Sequence, residues 1–303
     1  MQKLKIGFCS SGNFGARCLE LIAQKVSIDF VVTSAPQKAG RGLTLKPTPV
    51  EEVAKKIGIP FVTTERLSRD TETTDFIVFQ ACDVLLVIDF GHMVKEPVLS
   101  APKYGCINIH PSAVPQYRGS APVQRAIMDG QKETAVSIFR LDEGMDTGDI
   151  LSQVPVTIED TDTTESLEEK CAVVGSNELL HFLCDVSPLD WTFTPQTSEG
   201  VSLAPKIEKS EGFLSEALSA QVALNRVRAL GQNMGTYFFW NNKRIRVFEA
   251  EYKNLQGEAG KLALDTDGSP LLFFADSALK LLTVQSEGKK KCNARDWARG
   301  IRF

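Results

Sequence analysis

The chain has 303 residues, of which 43% are hydrophobic and 24% are charged, and its formal net charge is -4. This length allows two domains of ordinary size, and the composition is typical of a globular protein that buries its own core. No apolar run reaches the roughly 18 residues that a membrane helix needs, so we expect a cytoplasmic protein with no membrane partner. The seven cysteines are odd in number and lack C-x-x-C spacing, which argues against a disulfide framework and a zinc site.

The first 150 residues alternate short apolar runs with segments of helical periodicity. Strands are predicted at residues 4–8, 30–33, 60–62, 84–88, 106–109 and 136–139, and helices at 16–23 and 50–57. Strands separated by helices indicate βαβ units, and therefore an α/β domain with a doubly wound, mostly parallel sheet. Ligands of such sheets bind beyond the carboxyl ends of the strands, so we expect the functional residues there.

The second part of the chain has a different pattern. Residues 187–205 contain three prolines and several serines and threonines, which predicts an extended connection. A helix is predicted at 219–230, followed by short strands at 237–240, 244–249, 260–264, 271–275 and 279–284. Short strands separated by turn residues are typical of a small barrel or sandwich. We therefore expect a catalytic domain at 1–188, a linker at 189–206 and a small β-barrel domain at 207–303.

Charge is distributed unevenly between these parts. Residues 207–303 hold 15 basic and 11 acidic side chains, for a net charge of +4, whereas residues 1–206 have a net charge of -8. A basic domain on an acidic protein favours a polyanionic partner.

An amide, an imidazole and a carboxylate follow two of the predicted strands. Asn108 and His110 lie on the same side of an extended chain, because side chains alternate with period two. An acidic, glycine-containing segment at 142–150 supplies carboxylates. Such a set suits acyl transfer to an amine, with histidine as base and an amide N–H stabilising the oxyanion. A lone histidine after a strand is nevertheless more often structural, so spacing alone leaves both interpretations open.

Two longer runs resemble the signatures of the folate-dependent formyltransferases. They are NIHPSAVPQYRG at 108–119 and DEGMDTGDI at 142–150. The resemblance implies 10-formyltetrahydrofolate as formyl donor, no metal, and a catalytic triad of Asn108, His110 and Asp146. It also implies a folate site, whose residues are Ser112, Ala113, Val114, Pro115 and Asp142. One departure from the family is Asp89-Phe90, where an Ala-Tyr pair is usual.

Three further features resemble the branch of this family that formylates initiator methionyl-tRNA. They are the loop AGRG at 39–42 followed by LKPTPV at 45–50, the segment APKI at 204–207, and the ending VQSEGKKK at 284–291. They imply a monomeric enzyme of translation initiation, with an OB-like C-terminal domain that binds tRNA. The tRNA contacts implied are Arg41, Lys289, Lys290 and Lys291.

Two other functions stay open at this point. A formyltransferase for an amino-sugar nucleotide, or for another small primary amine, would share the triad without needing the basic domain. A non-catalytic RNA-binding protein could use the same scaffold, although the three intact triad residues weigh against it. The chain has only three histidines and no H-x-x-x-H spacing, which disfavours a metal-dependent hydrolase.

Overall fold

The structure is a computed structural model that describes residues 3–39, 44–231 and 234–301. The chain divides into two compact units. The first comprises the residues up to 122 together with 133–157 and 168–204, and the second comprises 123–132, 158–167 and the residues from 205 onwards. Each unit is therefore assembled from three separate stretches of sequence.

A seven-stranded sheet forms the centre of the first unit, in the order β5-β2-β1-β6-β7-β8-β9. The five strands from β5 to β7 are parallel, whereas β8 is antiparallel to both β7 and β9. The strands of this unit are β1 (Ile6–Cys9), β2 (Phe30–Ser34), β3 (Gln37–Ala39), β4 (Thr44–Lys46), β5 (Phe61–Thr64), β6 (Val84–Val87), β7 (Cys106–His110), β8 (Glu133–Arg140) and β9 (Ile150–Thr157). Strands β3 and β4 form a separate antiparallel pair.

The prediction of a doubly wound, mostly parallel sheet is confirmed. The apolar run at 136–139, expected as one more strand of that sheet, belongs to the antiparallel β8. Only nine residues separate β8 from β9, and a connection this short joins antiparallel neighbours more readily than parallel ones.

Helices lie between the strands and begin and end where their sequences dictate. The α-helices are α1 (Asn13–Ala23), α2 (Pro49–Ile57), α3 (Thr71–Gln80), α4 (Pro122–Met128) and α5 (Thr164–Cys184). In α2, Thr48 Oγ1 accepts a hydrogen bond from the Glu51 amide at 3.0 Å, Pro49 occupies the first turn, and Gly58 ends the helix with φ 77°. A hydroxyl cap, an early proline and a left-handed glycine are the usual punctuation of a helix.

The core of the first unit consists of the apolar residues that its sheet buries. Strands β1 and β6 are buried along their whole length, as expected for a sheet with helices on both faces. The largest fully buried side chains include Phe8, Phe30, Leu85, Ile107 and Ile109. Because β7 is fixed by this packing, the residues at its carboxyl end have a defined direction.

An antiparallel sheet of six strands forms the second unit, in the order β10-β11-β14-β13-β12 with β15 paired to β14. This arrangement is consistent with the predicted small barrel. Its elements are α6 (Ala220–Leu230), β10 (Thr236–Trp240), β11 (Lys243–Lys253), β12 (Leu262–Leu264), β13 (Pro270–Phe273), β14 (Ala278–Ser286), β15 (Cys292–Asn293) and α7 (Ala294–Arg299). Helix α6 packs on the sheet through Ala220, Ala223 and Val227. Throughout the described residues, no helix has both the length and the apolar character to cross a membrane.

Candidate active site

Strand β7 carries two of the predicted catalytic side chains. Asn108 lies opposite Phe139 of β8, and His110 lies opposite Ser137, so the amide and the imidazole share one face of the sheet. His110 is 6% exposed. Asn108 Oδ1 is buried and has no hydrogen-bond partner within the described residues. A buried amide oxygen without a partner is costly, so this position suits a ligand that donates a hydrogen bond.

The third predicted residue, Asp146, lies on the loop between β8 and β9. Its Oδ2 atom is 3.9 Å from His110 Nε2, and the two side chains are only 14% and 8% exposed. His110 Nε2 is also 3.2 Å from the carbonyl oxygen of Tyr117, to which it can donate a hydrogen bond. With Nε2 protonated, Nδ1 carries the lone pair of the ring. The structure thus brings imidazole and carboxylate together in a site with little water to screen them.

A backbone amide fixes the direction of the Asp146 carboxylate. The Gly119 amide donates to Asp146 Oδ2 at 2.8 Å, and Asp146 itself has φ 55°, in the left-handed region. Gly119 has φ 127°, and a Cβ atom there would lie 2.7 Å from the Ala204 carbonyl oxygen. At position 119 only glycine combines this positive φ with so close an approach to the Ala204 carbonyl without strain.

The turn predicted to contact folate follows β7 directly. Three of its side chains, those of Ser112, Val114 and Pro115, are buried, whereas Ala113 is half-buried. Ser137 Oγ donates to the Ser112 carbonyl at 2.6 Å and accepts from the Val114 amide at 3.2 Å. The surface that this turn presents is therefore mainly its backbone and the methyl group of Ala113.

Ser137 and Gln153, which were not predicted as site residues, hold this turn in place. Gln153 Nε2 donates to the Val114 carbonyl at 3.1 Å and to Ser137 Oγ at 2.8 Å. The two residues are register partners, so His110, Ser137 and Gln153 form one row across β7, β8 and β9. Polar residues in otherwise apolar strands were the available signal.

Asp142, the remaining predicted folate residue, is exposed on the loop between β8 and β9. Its Oδ1 atom accepts hydrogen bonds from the Gly144 amide at 2.9 Å and from Thr147 Oγ1 at 2.6 Å. These bonds form a local turn that orders the loop just before Asp146.

Asp89 and His92 follow β6, the strand next to β7. Asp89 has φ 49°, in the left-handed region, and the residue as a whole is exposed to solvent. Its carboxylate, however, lies against the start of α1, where the Phe14 and Gly15 amides donate hydrogen bonds to it. Burial of this carboxyl group raises its pKa to about 6. His92 Nε2 is 2.8 Å from Ser34 Oγ, and burial lowers the pKa of His92.

The predicted tRNA contacts fall in two regions of the chain. Arg41 lies outside the described residues. Lys289, Lys290 and Lys291 are exposed and lie between β14 and β15 of the second unit. The Lys291 ammonium is 4.5 Å from the ring centroid of Phe248, a distance typical of a cation–π contact.

Two arginines on β11 extend this basic region. The Arg244 guanidinium lies 3.9 Å from the ring centroid of Tyr237, and that of Arg246 lies 4.9 Å from Phe248. Burial and the neighbouring Arg244 lower the pKa of Arg246. In the part of the chain that the structure covers, neither arginine forms an ion pair with a carboxylate. We name Arg244, Arg246 and Lys291, with the rings beneath them, the cationic face.

Comparison with known proteins gives the family. Residues 6–183 match the family described as Formyl transferase, and residues 206–302 match Formyl transferase, C-terminal domain. The chain belongs to the formyl transferase family. It is 33% identical over 297 residues to the methionyl-tRNA formyltransferase of Rickettsia massiliae, covering 98% of this chain and 97% of that protein. It is also 33% identical over 306 residues to the methionyl-tRNA formyltransferase of Caldicellulosiruptor saccharolyticus, covering 99% and 98%.

Solved structures share the fold. A sugar 3N-formyl transferase, WlaRD, crystallised with dTDP and 5-N-formyl-THF, has a TM-score of 0.66 at 18% identity and covers 96% of this chain and 100% of its own. HypX from Aquifex aeolicus in complex with tetrahydrofolic acid has a TM-score of 0.61 at 16% identity, covering 98% of this chain and 47% of its own. At these identities the likeness concerns the fold alone. Among the described residues, no group of three or more His, Cys, Asp or Glu could hold a metal ion.

Proposed function

We propose that the protein transfers the formyl group of 10-formyltetrahydrofolate to the α-amino group of initiator methionyl-tRNA and so supports translation initiation. Membership of the formyl transferase family and full-length similarity to proteins named methionyl-tRNA formyltransferase support this activity. The observation that carries the chemistry is the distance of 3.9 Å between His110 Nε2 and Asp146 Oδ2. Asn108 lies on the same strand as His110.

In the proposed reaction the amine nitrogen of the acceptor forms a bond to the formyl carbon, and the bond from that carbon to N10 of the folate breaks. His110 Nδ1 takes the proton that the attacking amine loses and returns it to the departing folate nitrogen. Asn108 Nδ2 donates a hydrogen bond to the oxyanion of the tetrahedral intermediate. Asp146 balances the charge of the imidazolium that forms between these two steps.

The proposed folate contacts are Ser112, Ala113, Val114, Pro115 and Asp142. The backbone of the turn, held by Ser137 and Gln153, offers a fixed edge to a flat ring. Asn108 Oδ1, which has no partner among the described residues, can accept a hydrogen bond from a ligand N–H. Folate acts here as the formyl-donor substrate, and no metal has a role in the proposal.

The proposed acceptor contacts are Arg41, Lys289, Lys290 and Lys291, with the cationic face beside the lysines. Within the described residues Arg244 and Arg246 lie close together without carboxylate partners, and such cations favour a polyanion. The proposed domains are residues 1–188, 189–206 and 207–303, which the matched family ranges support. We place the protein in the cytoplasm as a monomer.

One assay tests the proposed function directly. Purified protein, initiator tRNA charged with methionine and 10-formyltetrahydrofolate should yield formyl-methionyl-tRNA, detected as formyl-methionine after hydrolysis. Activity should fall steeply as salt rises, because phosphate contacts release counterions. Activity on an amino sugar that is insensitive to salt, with none on the charged tRNA, would replace the proposed acceptor by a small amine.

A further inference from the structure

The segment from residue 194 to 204, expected as a linker, is attached along its length to the loops of the active site. We name it the strap. At its start, the Thr194 and Ile150 backbones exchange hydrogen bonds of 2.8 and 2.9 Å. At its end, the Arg118 amide donates to the Ser202 carbonyl at 3.0 Å, and the Ala204 amide donates to the Arg118 carbonyl at 2.7 Å. The strap therefore lies against the loop after β7 and against the first residue of β9, which follows the loop after β8.

One side chain of the strap contacts both loops at once. Gln196 Nε2 donates to the Asp146 carbonyl at 2.9 Å and to the Gly148 carbonyl at 2.7 Å. Its Oε1 atom accepts from Arg118 Nη2 at 2.6 Å and from Arg118 Nε at 3.1 Å. Both donors and the acceptor of this amide are thus used, while the residues on either side of Gln196 are exposed.

The two ends of this bridge are the groups that set the geometry of the catalytic pair. Arg118 lies between Tyr117, whose carbonyl oxygen is 3.2 Å from His110 Nε2, and Gly119, whose amide donates to Asp146 Oδ2. The other end is the backbone of Asp146 itself. Loss of the bridge frees the left-handed turn at Asp146 to move relative to His110.

We infer that Gln196 is a positioning residue of the formyl transfer, which holds the Asp146 carboxylate at its working distance from His110. This inference rests on the proposed function. Its hydrogen bonds are made to the Asp146 turn and to Arg118, so it acts through these groups. Because a misplacement of about 1 Å in an active site can cost roughly 100-fold in rate, its removal should be visible in kcat.

The test compares Gln196→Met, which keeps the length of the side chain without its hydrogen bonds, with the control Ser198→Ala two residues further along the strap. We expect Gln196→Met to lower kcat by about 10-fold or more, with the KM for the folate donor nearly unchanged and Ser198→Ala at the wild-type rate. Gln196→Glu keeps an acceptor for Arg118 but sets a carboxylate against two carbonyl oxygens, so its kcat should be no higher than that of Gln196→Met.

A double-mutant cycle separates positioning from a general structural role. If Gln196 acts through Asp146, adding Gln196→Met to Asp146→Ala should change kcat by less than twofold, because the group to be positioned is already absent. A full additional loss in that background, or an unchanged kcat in the single variant, would overturn the inference. Urea unfolding of each variant shows whether stability changed.

Amide hydrogen exchange gives a readout that does not depend on activity. Exchange of the Gly119 amide, which donates to Asp146 Oδ2, should quicken in Gln196→Met and stay unchanged in Ser198→Ala. A wild-type protein that fails to formylate charged tRNA would end the proposed function. The positioning inference would then be decided by Gly119 exchange alone, and equal exchange in both variants would end it too.

Discussion

His110 is the residue on which the proposed chemistry depends most directly. It is almost fully buried, and its Nε2 atom faces a carbonyl oxygen and a carboxylate. Replacement by alanine removes the proton acceptor, and we expect kcat to fall by roughly 10²–10⁴-fold, the usual contribution of general base catalysis. Turnover on charged tRNA measures the effect, and circular dichroism checks that the variant is folded. Near-normal turnover in a folded variant would remove His110 from the mechanism.

A second prediction for a single residue concerns Asp89 and the pH dependence of stability. Its pKa is raised to about 6 by burial, from the ordinary value of about 3.9 in an unfolded chain. The folded state therefore binds the proton more tightly, and the free energy of unfolding falls as pH rises through 6. Asp89→Asn does not titrate, and asparagine tolerates a left-handed backbone. We expect the stability of the wild type relative to this variant to decline between about pH 4 and pH 7, measured by urea unfolding. A constant difference would contradict the raised pKa.

Strand β11 is predicted to contribute to tRNA binding through two of its side chains. Arg244 and Arg246 lie two residues apart on it without carboxylate partners in the described chain, so each should contribute one phosphate contact. We expect Arg244→Gln to weaken tRNA binding and to lower the slope of log affinity against log salt by about one. Lys261→Gln is a matched control in the same unit, because Glu258 already lies 3.7 Å from the Lys261 ammonium. Equal slopes for both variants would argue against the cationic face as a tRNA-binding surface.

The elements also show what the sequence could and could not predict. Apolar runs bounded by turns predicted β6 and β7 to within one residue and β1 to within two, because a strand buried on both faces needs continuous apolar side chains. Strand β9 was missed because its burial alternates only partly and Pro155 interrupts it. The strap was predicted as a linker because its composition is that of a loop. Its role depends on partners about 50 and 80 residues away, which local patterns do not encode.

The same contrast holds inside the candidate site. Asn108, His110 and Asp146 were predicted because they fall in recognisable runs within or after predicted strands, near which ligands of such sheets bind. Ser137, Gln153 and Gln196 were not predicted, because each acts on the backbone of a distant turn, and a polar side chain does not by itself reveal that partner. Residues that orient a site by hydrogen bonds to loops become visible only in three dimensions.

In the molecule as a whole, neither compact unit is one continuous stretch of the chain. The second unit takes in residues 123–132 and 158–167, which precede the connection by many residues. Within that unit, Thr164 Oγ1 donates to the Ala229 carbonyl at 2.7 Å, and Arg228 Nη1 donates to the Asp162 carbonyl at 3.0 Å. A C-terminal fragment beginning at residue 207 would therefore lack the partners of α6.

The second unit is composite, because it combines residues 123–132 and 158–167 with the C-terminal segment. Substitution of Arg125 is the sharpest test of this composite unit. Its Nη2 atom donates to Glu211 Oε1 at 3.0 Å, and its Nε atom donates to the Pro205 carbonyl at 3.1 Å, so one side chain of α4 fixes the start of the C-terminal segment. Arg125→Gln leaves these acceptors without their charged donor. We expect the free energy of unfolding to fall by about 2 kcal/mol at pH 7, as for hydrogen bonds to charged groups, measured by urea unfolding.

The pH dependence of that loss identifies its cause. The hydrogen bond from Arg125, more than any other interaction, lowers the pKa of Glu211. A carboxyl group with a lowered pKa stabilises the folded state above its unfolded pKa of about 4.3, and this contribution is lost as pH falls through the folded value. The gap between wild type and Arg125→Gln should therefore narrow below about pH 4. Arg299→Gln, which removes an exposed pair with Asp296, should cost little at any pH. If the two variants lost equal stability, Arg125 would not anchor the C-terminal segment, and the composite unit would depend on its apolar packing alone.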